Sequence, residues 1–297
     1  MIQNYQQNYI IKIFNNYQYF RFSIIFRKKA QRSHRTIRQI NLNKSQQQGI
    51  FMLKRKLNQY ADAITWLNKA LAIDPKHANS LSEKGQCLMW LNKFEDAITW
   101  LDKALAIDPK HVNSLSEKGQ CLRKLNKFED AITWSDKALA IDPNHVLSLS
   151  DKGDCLRRLN KYTDAITWLD KALVINPKHV NSLCNKGQCL RKLNQYADAI
   201  TYFNKALAID PIHIISLSEK GQCLRSLKQY DESLKFLDQA LSINPNHTFS
   251  LGCFGNCLQD QEKYEEALIY YERKLKINPN DQRTKNQKEF CEKKLKK

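Results

Sequence analysis

Cysteine and histidine, two side chains that often hold metal ions, recur along this 297-residue chain at one fixed interval. Neighbouring members of each row are a full interval apart, too far to share an ion, and no CxxC pair occurs. We therefore predict no metal site, a loop or helix-capping role for the histidines, and buried, reduced thiols for the cysteines. The rows, each with a 34-residue step, are Cys87, Cys121, Cys155, Cys189, Cys223, Cys257 and Cys291, and His77, His111, His145, His179, His213 and His247.

Catalytic motifs do not accompany these rows. The sequence contains no glycine-rich phosphate loop, no nucleophile elbow and no HExxH motif. A polar segment, residues 282–297, follows the last interval, and it has none of the features of an enzyme domain. The sequence therefore predicts a protein that is not an enzyme and that binds no cofactor.

The same interval governs the helices that must position these side chains. All seven prolines, from Pro75 to Pro279, are 34 residues apart. Within residues 112–145, apolar residues recur at three- and four-residue steps on both sides of Asn126 and Lys127, and the second run ends before Pro143. Each unit is therefore predicted to be two helices, A and B, joined by a short turn. A fixed period of this length is typical of a solenoid, in which units bury apolar faces against their neighbours.

Small, aromatic and proline residues occupy fixed positions in each unit, counted from its first residue. Most units have Gly at position 8, an aromatic at 17, Ala at 20, an aromatic or Leu at 24, Ala at 27 and Pro at 32. This pattern resembles the tetratricopeptide repeat, which implies an all-α fold, a right-handed α-solenoid of stacked helix-turn-helix units. The resemblance covers residues 44–281, and residues 282–297 are predicted to form a C-terminal capping helix. The seven units are 44–77, which is degenerate, then 78–111, 112–145, 146–179, 180–213, 214–247 and 248–281.

Departures from the family pattern also recur. Position 7 is lysine in five units, and position 23 is tryptophan in four units. We interpret these tryptophans as packing surface. The last unit carries Lys274 where an alanine is expected, which suits the end of a stack.

The family binds ligands in a concave groove lined by helices A, and the resemblance transfers this role to positions 2, 6, 9, 12 and 13. Rows of amides, carboxylates and guanidiniums at these positions can hydrogen-bond an extended peptide. Two other interpretations stay open: the position-6 acids could complete capping boxes such as Ser114 to Glu117, and the basic residues could form a solvated face. The predicted groove residues are Asn79, Glu83, Gln86, Asn113, Glu117, Gln120, Arg123, Lys124, Asp151, Asp154, Arg157, Arg158, Asn181, Asn185, Gln188, Arg191, Lys192, Glu219, Gln222 and Arg225.

The resemblance implies a protein–protein interaction scaffold whose partner, a protein or peptide, stays unidentified. The family's clamp for chaperone C-terminal carboxylates is not expected to work here, because neutral or acidic residues replace its three cations. The alternative function is an RNA-binding helical-repeat protein, although the position-6 acids would repel phosphates. The five clamp positions hold Ser82, Gln86, Glu117, Leu147 and Asp151.

The N-terminal segment, residues 1–43, differs in composition from the repeats. Residues 1–61 contain twelve Lys or Arg and no acid, which accounts for most of the net charge of +18. Three interpretations compete: a mitochondrial targeting segment, a disordered basic arm for nucleic acid or an anionic membrane surface, and a start upstream of the true one at Met52. No window is apolar enough for a membrane span, so we expect a cytoplasmic protein, or a mitochondrial one if the segment is a targeting signal.

Overall fold

The computed structural model of the chain describes residues 59–296, and these form fourteen helices and no strand. The predictions for residues 1–43, and for the first helix of unit 44–77, lie outside the described residues. The helices are α1 (59–73), α2 (Ala78–Trp90), α3 (Phe94–Ile107), α4 (Val112–Lys124), α5 (Phe128–Ile141), α6 (Val146–Arg158), α7 (Tyr162–Ile175), α8 (Val180–Lys192), α9 (Tyr196–Ile209), α10 (Ile214–Ser226), α11 (Tyr230–Ile243), α12 (Thr248–Asp260), α13 (Tyr264–Ile277) and α14 (Gln282–Leu295).

The turn between the two helices of a unit is built on a residue with positive φ. In unit 112–145, Asn126 has φ of 60°, its N–H donates to the Arg123 carbonyl at 3.1 Å, and the Lys127 N–H donates to the Leu122 carbonyl at 2.9 Å. This is a Schellman motif, and asparagine tolerates its left-handed backbone better than most residues. The turn predicted at Asn126 and Lys127 is confirmed.

The connection between units depends on proline and histidine. Helix α5 ends at Ile141, two residues before Pro143, and the Asn144 N–H donates to the Asp142 carboxylate at 3.0 Å. Next, His145 is the N-cap of α6, and its Nδ1 accepts from the Ser148 N–H at 3.4 Å. The predicted capping role is thus confirmed at His145, and the same bond caps α2, α4 and α10 through His77, His111 and His213.

The core runs along the stack as a series of small clusters, each shared by neighbouring units. Cys189 of α8 is fully buried with Leu156 of α6 and with Ala165 and Leu169 of α7. Glycine at position 8 makes this packing possible, because a Cβ on Gly153 would lie 2.6 Å from Leu169 Cγ. The prediction of buried cysteines is confirmed for six of the seven in the row, whereas Cys87 is half-buried. The two cysteines outside the row, Cys184 and Cys253, are buried as well, and all nine are free thiols.

The last unit ends in the predicted capping helix, α14, which covers the apolar end of α13. Cys291 of α14 is buried against Leu258, Ala267 and Tyr271. Lys274 replaces the usual alanine and donates to Asp281, the N-cap of α14, with Nζ 2.8 Å from Oδ2. Gly252 leaves space for this lysine, because a Cβ at residue 252 would lie only 3.0 Å from Lys274 Nζ. Residues 59–296 form a right-handed α-solenoid, and none of their helices could cross a bilayer.

Candidate partner-binding groove

The first helices of successive units, α2, α4, α6, α8, α10 and α12, line one face of the solenoid. Each of these A helices contacts the A helix of the next unit, whereas each B helix packs between the A helix of its own unit and that of the next. Direct contact between successive A helices places them on the inner side of the curve. Positions 2, 6, 9, 12 and 13 of the A helices carry the predicted groove residues.

The capping-box interpretation of the position-6 acids is wrong. Helix α4 begins at Val112 with His111 as its N-cap, so Ser114 and Glu117 both lie inside the helix. The Ser114 N–H is bonded to His111 Nδ1 at 3.3 Å, and the Ser114 hydroxyl donates to Ser82 Oγ of the previous unit at 2.8 Å. The cap is the histidine, for which the sequence predicted a loop or capping role, and its ring nitrogen does the work usually assigned to Ser, Thr, Asp or Asn.

Instead, the position-6 carboxylates bind the preceding unit. Glu219 accepts from Gln188 Nε2 at 2.9 Å and forms an ion pair with Arg191 Nε at 2.5 Å. Gln188 and Arg191 are positions 9 and 12 of unit 180–213. Polar side chains at positions 6, 9 and 12 thus join the neighbouring A helices at this junction.

The same junction in units 112–145 and 146–179 contains two acids. Arg123 Nε lies 3.2 Å from Asp151 Oδ1, and Arg123 NH1 lies 2.9 Å from Asp154 Oδ2. Asp154 also accepts from Arg157 of its own helix, with NH2 2.6 Å from Oδ1. Burial raises the pKa of Asp151 to about 6, and the Arg123 charge opposes that shift.

Arginines at position 12 find another carboxylate where position 6 of the next unit is neutral. Position 6 of the unit after Arg225 is Cys253, and Arg225 pairs instead with Asp260, with Nε 2.7 Å from Oδ2. Position 6 of the unit after Arg157 is Asn185, and Arg157 pairs instead with Asp154 of its own helix. The solvated-face interpretation is therefore wrong for the position-12 arginines, which are all partly buried in ion pairs: Arg123, Arg157, Arg191 and Arg225.

Glu117 is held differently from the other position-6 acids. It accepts from Gln86 Nε2 at 2.5 Å and from Ser82 Oγ at 3.3 Å, but position 12 of the preceding unit is Met89. The side chain is only 7% exposed, and burial raises its pKa to about 7. Burial also raises the pKa of Glu83, although the unit before it lies partly outside the described residues.

Apart from Gln86 at position 9, the exposed residues of the predicted groove lie along its two margins, at positions 2 and 13. The Asn79 side chain is exposed, and its Oδ1 accepts from His111 Nε2 at 3.0 Å. Because the proton of the ring is then on Nε2, Nδ1 is the acceptor for the helix cap. Position 2 is apolar in three later units, at Leu147, Ile215 and Phe249. The predicted residues that are exposed are Asn79, Gln86, Asn113, Lys124, Arg158, Asn181 and Lys192, and those that are half-buried on the floor include Gln120, Asn185, Gln188 and Gln222.

A second recurring polar row, which sequence reasoning did not connect, lies where helices B meet helices A. Lys152 at position 7 lies 3.7 Å from the centroid of the Trp168 ring of its own unit, and its Nζ is 2.5 Å from Asp136 of the previous unit. Lys171 lies over the same ring at 4.2 Å. The two recurring departures from the family, lysine at position 7 and tryptophan at position 23, therefore form one contact.

Residues 59–296 contain no group of histidine, cysteine and acidic side chains arranged to hold a metal ion. Cys155 is buried where its pKa is raised to about 12, which disfavours a reactive thiolate.

Comparisons with known proteins agree with this fold. A solved structure described as the APC/C hetero-tetramer Cut9–Hcn1 superposes with a TM-score of 0.74 at 17% identity, covering 78% of this chain and 46% of that one. This chain thus spans less than half of that relative. A tetratricopeptide repeat protein from Parabacteroides merdae ATCC 43184 gives 0.61 at 17% identity, covering 82% and 99%. PilW, a type IV pilus biogenesis factor, gives 0.64 at 20% identity, covering 70% and 97%.

Sequence comparisons give the family. No curated protein sequence matches this chain. The family model described as "Anaphase-promoting complex, cyclosome, subunit 3" matches three times, at residues 56–134, 124–206 and 194–274. These overlapping matches span most of the repeats, and they agree with the 34-residue period and with the stacked helix pairs. The chain therefore belongs to the tetratricopeptide repeat family, with repeats of the kind that this model describes.

Proposed function

We propose that this protein is a non-catalytic interaction scaffold that binds an extended peptide, or an extended segment of a partner protein, in the groove of its A helices. The observation that carries this proposal is the division of the groove into a self-paired floor and accessible margins. The floor residues bond one another across unit junctions, whereas Asn113, Lys124 and their equivalents remain exposed in successive units.

An extended ligand fits this arrangement better than a compact one. Exposed amides occupy position 2 of three units, at Asn79, Asn113 and Asn181, and an amide can both donate to and accept from a peptide backbone. Lys124, Arg158 and Lys192 recur on the opposite margin. A ligand that contacts several units would gain affinity from each contact without needing one deep pocket.

Two ligand classes fit poorly. A chaperone C-terminal carboxylate would need the positions of Ser82, Gln86 and Glu117, which are bonded to one another. RNA recognised base by base would meet the buried acids of the floor, which repel phosphate. Nucleic acid binding through residues 1–43 concerns a segment outside the described residues.

A cytoplasmic location belongs to the same proposal. Eight of the nine free thiols are buried in packed clusters, a use of cysteine that suits a reducing compartment. A mitochondrial location would require residues 1–43 to be a targeting segment.

Affinity capture with matched variants of the full chain tests the proposal. The groove variant replaces Asn113, Lys124, Arg158 and Asn181 with alanine, and the control replaces the exposed Thr99, Thr133 and Thr167 of helices B with alanine. We expect the groove variant to lose the partners captured by the unchanged chain at least ~10-fold, as quantified by mass spectrometry, and the control to retain them. Capture that survives the groove changes and is lost in the control would overturn the proposal.

A further inference from the structure

The repeats allow an internal comparison, because the side chains at equivalent positions of successive junctions can be compared. At two junctions, a position-6 carboxylate receives a guanidinium from position 12 of the preceding unit: Arg123 on Asp151, and Arg191 on Glu219. At the second of these, a glutamine at position 9, Gln188, donates to the same carboxylate. The array thus contains a built site for a guanidinium, formed by a buried carboxylate and an amide.

The junction between units 78–111 and 112–145 has the carboxylate and the amide but lacks the guanidinium. Gln86 Nε2 donates to Glu117 as Gln188 does to Glu219, and Ser82 adds a second donor. Met89 stands where Arg123 and Arg191 stand in later units. Among residues 59–296, no cation pairs with Glu117, and none contributes to its pKa, which burial raises to about 7.

A buried carboxylate without a cation is costly to ionise. Two neutral donors offset only part of the lost hydration, and an arriving cation would recover more of it. Met89 does not block such an arrival permanently, because its unbranched side chain is half-buried and can change rotamer.

An exposed aromatic side chain lies one helical turn after Gln86, directly after Met89. Trp90, at position 13 in place of the lysine or arginine of the next three units, is 56% exposed and stacks on Tyr60, with centroids 6.1 Å apart and planes at 8°. The planar guanidinium of arginine stacks on such rings and pairs with carboxylates, whereas an ammonium forms only a point-charge contact.

We propose that Glu117, Gln86 and Ser82, with Trp90 beside them, form a subsite for an arginine side chain of the partner, which supplies the guanidinium that Arg191 supplies to Glu219. This inference rests on the proposed function, since it names a contact that the groove ligand makes. It also sets the orientation of the ligand, because the arginine of the ligand lies at units 78–111 and 112–145, while Arg158 and Lys192 of the basic margin lie in the two following units.

The three methionines of the chain make a direct test possible, because Met89 can be followed by its labelled methyl signal. The probe is N-acetyl-arginine N-methylamide, titrated into the full chain, and the control probe is its neutral citrulline counterpart. We expect the arginine probe to shift the Met89 methyl signal with a dissociation constant on the order of 1–10 mM, and the citrulline probe to bind at least ~10-fold more weakly. An equal response to the two probes, or none, overturns the subsite.

Two reciprocal variants sharpen the test. Glu117→Gln should weaken the arginine probe at least ~10-fold, and Arg191→Met should create a new methyl signal that responds to the probe beside Glu219. If Arg191→Met does not fold, Met89→Arg gives the second measurement. Supplying an internal guanidinium should raise the unfolding temperature by roughly 2–4 °C above pH 7 and abolish the probe response, followed at the side-chain amide signals of Gln86. A lower unfolding temperature with an unchanged probe response would contradict the subsite.

The probe titration tests the subsite alone, whereas the capture experiment tests the whole groove. A probe that fails while the groove variant still loses its partners removes the subsite and keeps the scaffold. A probe that binds as expected while the groove variant keeps its partners supports an arginine site and removes the proposed function.

Discussion

The ammonium of Lys118 lies 3.7 Å from the centroid of the Trp134 ring and also forms an ion pair with Asp102 of the preceding unit. One side chain therefore ties its own B helix to that of its neighbour. A cation over an indole ring contributes about 0.5–2 kcal/mol, depending on how far it is desolvated. The lysine is mostly buried at its stem, so its packing and its charge both contribute.

Replacing Lys118 with methionine should keep most of the stem packing and remove the charge. We expect a loss of about 1 kcal/mol in the free energy of unfolding, measured in urea. Trp134→Leu and the double variant complete a cycle, in which the two effects should couple. Additive losses in the double variant would show that the ring and the ammonium do not interact.

The buried thiols should react slowly with alkylating reagents. Burial raises the pKa of Cys155 to about 12 and that of Cys87 to about 11, and Cys87 is also half-buried. At pH 8 we expect Cys87 to be labelled first, and Cys121, Cys155, Cys189 and Cys223 only as the protein unfolds. Cys155→Ser should cost roughly 1–3 kcal/mol, since it buries a hydroxyl. Uniform rapid labelling of the native chain would contradict the packing.

Ionisation of Glu117 should make stability fall as pH rises. Its folded pKa of about 7 is above its ordinary value of 4.5, so the folded chain binds more protons between these values, and the stabilisation present below pH 4.5 is lost as pH rises through 7. Glu117→Gln lacks this loss. Relative to the unchanged chain, its free energy of unfolding should therefore increase by on the order of 1–3 kcal/mol between pH 4.5 and pH 8, as measured by urea unfolding.

Glu219→Gln is the matched control for that change, because it leaves Arg191 partly buried without its carboxylate. We expect this variant to lose stability at pH 8. The two glutamates occupy the same position in their units, so opposite signs would trace the difference to Met89 and Arg191. A loss of equal size in both variants would contradict the prediction.

The histidine caps should give the opposite pH dependence. Burial lowers the pKa of His145 below its ordinary 6.5, so the cap stabilises fully above pH 6.5 and is lost as pH falls through the folded pKa. His145→Ala should cost about 1 kcal/mol at pH 7.5, whereas His145→Asp should keep a cap and remove this part of the pH dependence. Thermal unfolding at pH 5 and pH 7.5 measures both, and identical behaviour of the two variants would rule out a capping role.

Positive φ at the turn of each unit predicts a stabilising change. Asn92, Asn126, Asn160 and Asn194 hold φ of 58–62°, but the equivalent residue in unit 214–247 is Lys228, at 61°. Lys228→Asn should add about 0.5–1 kcal/mol to the free energy of unfolding, and Asn160→Lys should remove a similar amount. Urea unfolding of the two variants should give opposite shifts of the midpoint.

Helix pairing, turns and buried cysteines could be predicted from the sequence, because each depends on short-range patterns that recur in every unit. Asn126 and Pro143 mark the ends of helices by backbone chemistry alone. At the N-cap of α4 the sequence left two interpretations open, a capping box from Ser114 to Glu117 and a cap from His111, and the structure shows that His111 takes the role.

The partners of the groove residues could not be predicted, because they belong to the next unit. Arg123 reaches Asp151 and Asp154, 28 and 31 residues later. Such contacts depend on the rotation between units, which no local pattern encodes. Many of the residues predicted for the groove are bonded to the neighbouring unit, and whether the exposed ones line a groove that binds a partner stays a prediction.

Charge pairing between units differs from one junction to the next, and this has a mechanical consequence. Arg123 pairs with two carboxylates of the following unit, whereas the A helices that carry Met89 and Glu117 are joined to each other by hydrogen bonds and by no ion pair. A solenoid pulled from its ends extends first where adjacent coils are least tightly joined. Force should therefore part the array between Met89 and Glu117 before it parts the coil beyond Arg123, so that one end behaves as the compliant segment of a spring.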